Sequence, residues 1–205
     1  MELILASASE RRSSLMRMCG YDFTVMPSSA DEHISENNPS RLVESLSLIK
    51  ARTVFDSLDA DRRKNAVVIG SDTVVTLDGR IIGKPASEDE ARAMLRMESG
   101  RENRVYTGLA IVGMDGNVES VCSDMASVFF TELTDDEIGA YVKTGEPMDK
   151  AGAYGIQGCF SMFIERIEGS YFTVVGLPLH LLYRELKRIG VTPKQLFCEK
   201  AYAPR

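Results

Sequence analysis

The chain has 205 residues, enough for one domain that buries roughly 70% of its unfolded surface without a disulfide or structural metal. Hydrophobic residues make up 44% and charged residues 26%, and the net charge is -6, so no global basic field draws the chain to nucleic acid or to anionic lipid. The N-terminal apolar run is too short for a signal peptide and no stretch approaches the ~20 residues of a membrane helix, which predicts a cytoplasmic protein with no membrane partner.

Taken in chain order, residues 3–6 read as a short buried strand and residues 9–18 as a helix, with Gly20 as its terminating glycine. Residues 21–26 alternate weakly and predict a second strand. A polar loop over 27–38 holds Asp31 and Glu32. Pro39 suits a first helical turn, and Leu42, Val43, Leu46, Ile49 and Val54 predict a helix to about residue 58. Residues 66–70 are apolar without alternation, the mark of a strand covered on both faces. Residues 74–77 continue that strand beyond a break at or near Asp72, and Asp78-Gly79 offers a hairpin turn to residues 80–82.

Ser87 and Glu90 form a capping box for a helix that ends near Gly100. A hairpin is predicted around Asp115-Gly116, then a strand over 128–131. Thr134 and Glu137 form a second capping box, for a helix stopping near Gly145. Strands are predicted at 160–165 and 171–175, and Pro178 opens a last helix that ends near Gly190. Mixed βα units and hairpins define an α/β chain built on a mixed, twisted sheet flanked by helices. With no repeat, linker or low-complexity segment, one domain over 1–205 is expected.

Four segments have the makings of a site. Residues 5–12, Leu-Ala-Ser-Ala-Ser-Glu-Arg-Arg, run from a strand through small residues into a helix start. Small side chains let backbone N–H groups approach an anion, the helix dipole favours negative charge there, and an arginine fork matches phosphate oxygens. The competing view makes Ser9 a simple N-cap and leaves Arg11 and Arg12 on a solvated face. Gly70-Ser71-Asp72-Thr73 carries a carboxylate off a hydrophobic strand, suited to metal binding or water activation, or else to stabilising a turn. Lys84 lies between Gly83 and Pro85 on a restricted backbone. Residues 144–158 form a long loop rich in Gly and Pro that carries Lys150 and Gln157, whose amide suits a base edge.

Other groups read as structural. Taken alone, Asp31-Glu32 is a solvated acidic loop and Lys50 a snorkelling surface lysine. His33 and His180 form no cluster, and His180 is expected to be partly buried on the last helix. Tyr106-Thr107-Gly108 reads as a strand start. Cys19, Cys122, Cys159 and Cys198 show no metal spacing and read as small core residues with free thiols.

These segments in this order resemble the Maf family of nucleotide pyrophosphatases from about residue 3 to residue 179. The carriers are residues 5–12, Asp31-Glu32, Lys50-Ala51, residues 70–75 (Gly-Ser-Asp-Thr-Val-Val), Gly83-Lys84-Pro85, residues 105–108 (Val-Tyr-Thr-Gly), residues 149–158 (Asp-Lys-Ala-Gly-Ala-Tyr-Gly-Ile-Gln-Gly) and residues 175–178 (Val-Gly-Leu-Pro). The resemblance implies a two-lobed fold with a central cleft, like that of the inosine-triphosphate pyrophosphatases. It implies hydrolysis of a nucleoside triphosphate to monophosphate and pyrophosphate with a divalent cation, Mg or Mn. Asp72 matches the proton acceptor and, with Glu32, the metal site. Ser7, Arg11, Arg12, Lys50, Thr73, Lys84, Lys150 and Gln157 match the substrate-binding set, with Arg12, Thr73 and Gln157 discriminating between nucleotides. The loop resembles that of the dTTP and UTP subgroup. A sister subgroup acting on 7-methyl-GTP, and a nucleotide-binding regulator of cell division, are the alternatives. Family membership further implies a homodimer. Two positions depart from the pattern: Glu10 stands where proline is usual, and Asn103 where histidine is common.

Overall fold

The computed structural model describes residues 1–194. Cys198 and the tail beyond Lys194 lie outside the described residues. The strands are β1 (Glu2–Leu5), β2 (Thr24–Val25), β3 (Ala66–Leu77), β4 (Arg80–Ile82), β5 (Glu102–Val112), β6 (Val118–Phe130) and β7 (Ile164–Glu168). The helices are α1 (Glu10–Met18), α2 (Pro39–Ser57), α3 (Ala60–Arg63), α4 (Glu88–Glu98), α5 (Asp135–Val142), α6 (Tyr171–Val175) and α7 (Leu179–Arg188). Together the strands form one seven-stranded sheet of order β2-β1-β3-β5-β6-β7, with β4 paired to β3. The β2–β1 and β1–β3 pairs are parallel, and the other pairs are antiparallel. The expected mixed α/β architecture is present.

Alternation along the strands divides the core. Leu3, Leu5, Val67, Ile69, Leu109 and Ile111 face α1 and α7 on one side of the sheet. Ile4, Val68, Ala110 and Val112 face Ala51, Val54 and Phe55 of α2 on the other. Further along β3 and β5, Val75, Leu77 and Val105 join α4, α5 and the aromatic group Phe130, Tyr141, Tyr154 and Phe160. Phe130 meets Tyr154 edge-on at 4.7 Å and Phe160 at 4.8 Å. The two long strands thus carry a core at each end, and a cleft of 740 Å³ lies between the lobes.

Helix α2 lies unusually close to the sheet, and two glycines allow it. A Cβ on Gly70 would fall 2.0 Å from the Ser47 carbonyl oxygen, and one on Gly108 would fall 2.2 Å from the Val43 carbonyl oxygen. No side chain fits between helix and strands there.

Several expected elements differ. Residues 66–77 form one unbroken strand, so Asp72 sits mid-strand and not at a break. Residues 171–175 form a helical turn and not a strand. The β-branched run Thr173-Val174-Val175 favours a strand locally, but Gly176 at φ 117° closes a turn whose residues are held by tertiary bonds. Cys159–Phe163 is a 3-10 turn, which moves the expected strand to Ile164–Glu168. The second strand shrinks to Thr24–Val25, the short α3 follows α2, and the expected strand at 128–131 is the end of a 13-residue β6. Thr134 and Glu137 make the full capping box. Ser87 caps Glu90 N–H, but the Glu90 carboxylate accepts from Ala86 N–H instead of Ser87. His180 is exposed, not partly buried, and Cys159 is exposed, not a core residue. Cys19 and Cys122 pack against the core as expected.

Candidate active site

The first wall of the cleft comes from the turn between β1 and α1. Ser9 caps α1 by accepting from Arg12 N–H at 3.4 Å. Ser7 Oγ accepts from Ser9 N–H at 3.2 Å and from Arg12 Nη1 at 3.0 Å, so its own proton is left to donate. Arg12 also donates from Nε to the Gly176 carbonyl at 2.8 Å and from Nη2 to Thr73 Oγ1 at 3.1 Å. Burial lowers the pKa of this guanidinium, while the charges of Asp72 and Glu32 oppose the shift. Arginine remains a cation under such a perturbation. Glu10 opens the helix and lies 4.0 Å from Arg17, occupying the position where proline is usual without disturbing the cap.

The floor comes from β3 and α2. Lys50 Nζ lies 2.6 Å from Asp72 Oδ1 and 3.1 Å from Glu32 Oε2. Lys50 and Asp72 are each only 9% exposed. Position on the helix alone made Lys50 a surface lysine; the glycine-mediated approach of α2 buries it against β3 and makes it part of the cleft. Glu32 is likewise drawn out of its acidic loop into the cleft, whereas Asp31 pairs with His33 outside it.

The far wall comes from residues 82–84 and 149–157. Gly152 N–H donates to the Gly83 carbonyl at 3.0 Å, tying the long loop to the segment that carries Lys84. Lys84 and Gln157 are exposed on the cleft surface. Arg11 reaches across to Asp149 at 3.7 Å. Lys150 Nζ donates to the Glu146 carbonyl at 2.7 Å and to Asp149 Oδ1 at 2.7 Å, so it is mainly an internal brace of the loop. Burial acts to raise the Asp149 pKa, but Lys150 and Arg11 outweigh it and hold it below the usual value.

This loop is long yet firmly tied. Glu146 accepts from Tyr141 hydroxyl and from Cys159 N–H, and Tyr141 hydroxyl accepts from Gly155 N–H. Tyr154 hydroxyl donates to Asn103 Oδ1 at 2.8 Å. Asn103, at the position where histidine is common, is therefore a buried anchor for the loop, outside the cleft.

The structure thus brings all the expected residues, Ser7, Arg11, Arg12, Glu32, Lys50, Asp72, Thr73, Lys84, Lys150 and Gln157, to one cleft. Sequence reasoning placed Ser71, Thr107 and Gly176 in motifs but gave none of them a site role, and it read Thr107 as part of a structural strand start. Ser71 Oγ shares its one proton between the carbonyls of Gly108 at 2.8 Å and Gly176 at 3.1 Å, and Thr107 Oγ1 meets Thr73 Oγ1 at 2.9 Å. The signal was the pairing of a mid-strand polar pair with another strand, which needs the register Asp72–Gly108 and Thr73–Thr107 to be seen.

Convergent arginine and lysine with a carboxylate pair and a polar, pre-tied wall define a class: enzymes that handle phosphorylated small molecules. A family model described as Maf-like protein matches residues 2–189, and the chain belongs to the Maf family. It is 49% identical over 190 residues to a dTTP/UTP pyrophosphatase of Geobacillus sp. (strain WCH70), covering 92% of this chain and 98% of the relative. A dTTP/UTP pyrophosphatase of Bacillus cereus (strain AH820) is 44% identical over 191 residues, covering 93% and 96%. Among solved structures, the Ham1 protein of Staphylococcus aureus aligns with a TM-score of 0.49 and 14% identity, covering 93% of this chain and 99% of that one.

Proposed function

We propose that this chain is a nucleoside triphosphate pyrophosphatase that hydrolyses dTTP and UTP to the monophosphate and pyrophosphate. The observation that carries the reading is the Lys50 ammonium, buried between Asp72 and Glu32 in a cleft whose walls also carry Arg12 and Lys84. A triphosphate supplies the negative charge that Arg12 and Lys84, which pair with no carboxylate among the described residues, would take up, and the kinship over most of the chain with two proteins of that name supports the pyrimidine preference.

Asp72 and Glu32 fit a divalent cation. Their oxygens already share one cation, and Mg or Mn takes one or two carboxylates and leaves its other positions to phosphate and water. Among the described residues no group of three or more His, Cys, Asp or Glu could hold a metal ion, so a cation here would rest on these two carboxylates together with the substrate's phosphates. When bound it would add positive charge at the phosphates and acidify water.

The residues divide the remaining work. Arg12, Lys50 and Lys84 bind the triphosphate and take up the charge that builds on the leaving pyrophosphate. Ser7 donates its free hydroxyl proton to a phosphate oxygen. Asp72 accepts the proton of the attacking water as the water oxygen bonds to the α-phosphorus. The bridging oxygen leaves with its electron pair on pyrophosphate. Gln157 presents its amide to the base, and Arg11 and Lys150 fix the wall through Asp149. We further assign the chain to the cytoplasm, as one domain over 1–205 and as a homodimer. No helix among the described residues is long and apolar enough to cross a membrane.

A pyrophosphate-release assay with Mg across a nucleotide panel tests the reading. Release is expected fastest from dTTP and UTP and slower from 7-methyl-GTP. A chain that binds these nucleotides yet releases nothing would instead be a nucleotide-binding regulator.

A further inference from the structure

The anchor of Arg12 does not stop at its first partner. Arg12 Nη2 donates to Thr73 Oγ1 at 3.1 Å, Thr73 Oγ1 lies 2.9 Å from Thr107 Oγ1, and Thr107 Oγ1 donates to the Thr173 carbonyl at 2.7 Å. Each hydroxyl has one proton, and that fixes the direction. Arginine only donates, so Thr73 accepts from it. Thr107 spends its proton on Thr173. The contact between the two hydroxyls therefore carries the Thr73 proton. The chain runs one way, from guanidinium through two hydroxyls to a carbonyl, and hydrogen bonds aligned in this manner polarise one another.

The far end is held as well. Thr173 Oγ1 donates to Asp124 Oδ2 at 2.5 Å, and the Gly176 carbonyl accepts from both Arg12 Nε and Ser71 Oγ. Thr107 and Thr173 are fully buried and neither reaches the cleft surface. Three of the five N–H bonds of the guanidinium are spent on the protein, which leaves two for a ligand in a plane set by Thr73, Ser7 and Gly176.

We infer that Thr107 is a positioning residue: acting through Thr73, it fixes the plane of the Arg12 guanidinium so that the two remaining N–H bonds face the phosphates. This rests on Arg12 being a triphosphate ligand.

Thr107→Val keeps the shape and removes the hydroxyl, Thr107→Ser keeps the hydroxyl, and Thr73→Val cuts the same chain one step nearer the cleft. Thr107→Val is expected to raise KM for dTTP, and the Kd for Mg-pyrophosphate measured by calorimetry, about tenfold with kcat within about threefold. Thr107→Ser is expected to stay within about twofold of wild type. The double variant Thr73→Val with Thr107→Val is expected to be no worse than Thr73→Val alone, because both cut one chain. If the Val variant does not fold, Thr107→Ala supplies the same comparison with room for water at the freed carbonyl. A Thr107 variant that lowers Tm but leaves KM and pyrophosphate affinity at wild type, or single effects that multiply in the double variant, would overturn the inference. Wild-type protein that binds pyrophosphate but turns over no nucleotide would sink the pyrophosphatase reading alone, since the affinity series still reads the relay.

Discussion

Asp72 and Lys50 lie 2.6 Å apart on a strand and a helix, and each limits what the other can do. The ammonium donates to Oδ1 and so orients the carboxylate, with the second oxygen available to water. Asp72→Asn preserves size and strand but removes the proposed proton acceptor, so kcat for dTTP is expected to fall by ~10²–10⁴, with the fold intact by circular dichroism. Turnover near wild type in that variant would take Asp72 out of the mechanism. At the far wall, Gln157→Glu replaces an amide that both donates and accepts with an acceptor alone. The ratio of kcat/KM between dTTP and other triphosphates is expected to shift, and an unchanged profile is the contrary result. A third residue works below the cleft. Glu98 is fully buried, neither carboxyl oxygen has a hydrogen-bond partner among the described residues, and burial holds its pKa well above the ordinary value of 4.5. The folded chain therefore keeps a proton that the unfolded chain releases above about pH 4.5. The stability this group contributes is full below that pH and is lost as pH rises toward the folded pKa. Glu98→Gln carries no such proton, so its stability relative to wild type is expected to grow by up to ~1.4 kcal/mol per pH unit. Urea midpoints of both proteins at pH 5 and pH 8 measure this, and a gap that does not change with pH would contradict it.

At the scale of elements, the position of α2 decides whether a site exists. Gly70 and Gly108 let its backbone rest on β3 and β5, and that contact carries Lys50 to Asp72. Gly70→Ala would drive a methyl group into the Ser47 carbonyl, backbone that cannot rotate away. The helix must move, at a cost of ~1–3 kcal/mol or more. Stability and pyrophosphate release are expected to fall together in Gly70→Ala. Gly79→Ala, where nothing lies within 4 Å of an added Cβ but φ is 75°, is expected to lose stability alone. Stability lost with pyrophosphate release kept in Gly70→Ala would show that the spacing of α2 is not what seats Lys50. The same contact explains what was legible in the sequence. Periodicity located α2 well, because its apolar positions repeat along one face. It could not show that Lys50 is buried, because that depends on two glycines 20 and 58 residues further along the chain. Thr173-Val174-Val175 misled for a related reason. Local preference favoured a strand, while bonds from Thr107 and to Asp124 hold a helical turn. The long loop after α5 was legible as a special segment from its Gly and Pro content, but its internal ties were not, since they join Glu146, Tyr141 and Asn103 from three elements.

Over the whole molecule, the cleft divides its ligand between two packed cores. Ser7, Arg12, Lys50 and Asp72 belong to the half built on β1, α1 and α2, while Lys84, Lys150 and Gln157 belong to the half built on α4, α5 and the loop. Order of motifs along the chain showed that these groups belong together; the long strands that run through both cores bring them face to face. A ligand that spans the cleft must therefore stabilise both halves against unfolding. At a concentration of 100 Kd it adds ~2.7 kcal/mol, and for a chain of this size that raises Tm by roughly 5–11 °C. Mg-pyrophosphate and dTTP analogues with a non-hydrolysable α–β bridge are expected to give such shifts. Thymidine, which has no phosphate for Arg12 or Lys50, is expected to give almost none at the same concentration. Because the contacts are ionic, the shift with pyrophosphate is also expected to shrink as salt rises from 0.05 to about 0.5 M. Equal shifts from thymidine and from pyrophosphate, or a shift indifferent to salt, would mean that the charged half of the cleft does not hold the ligand.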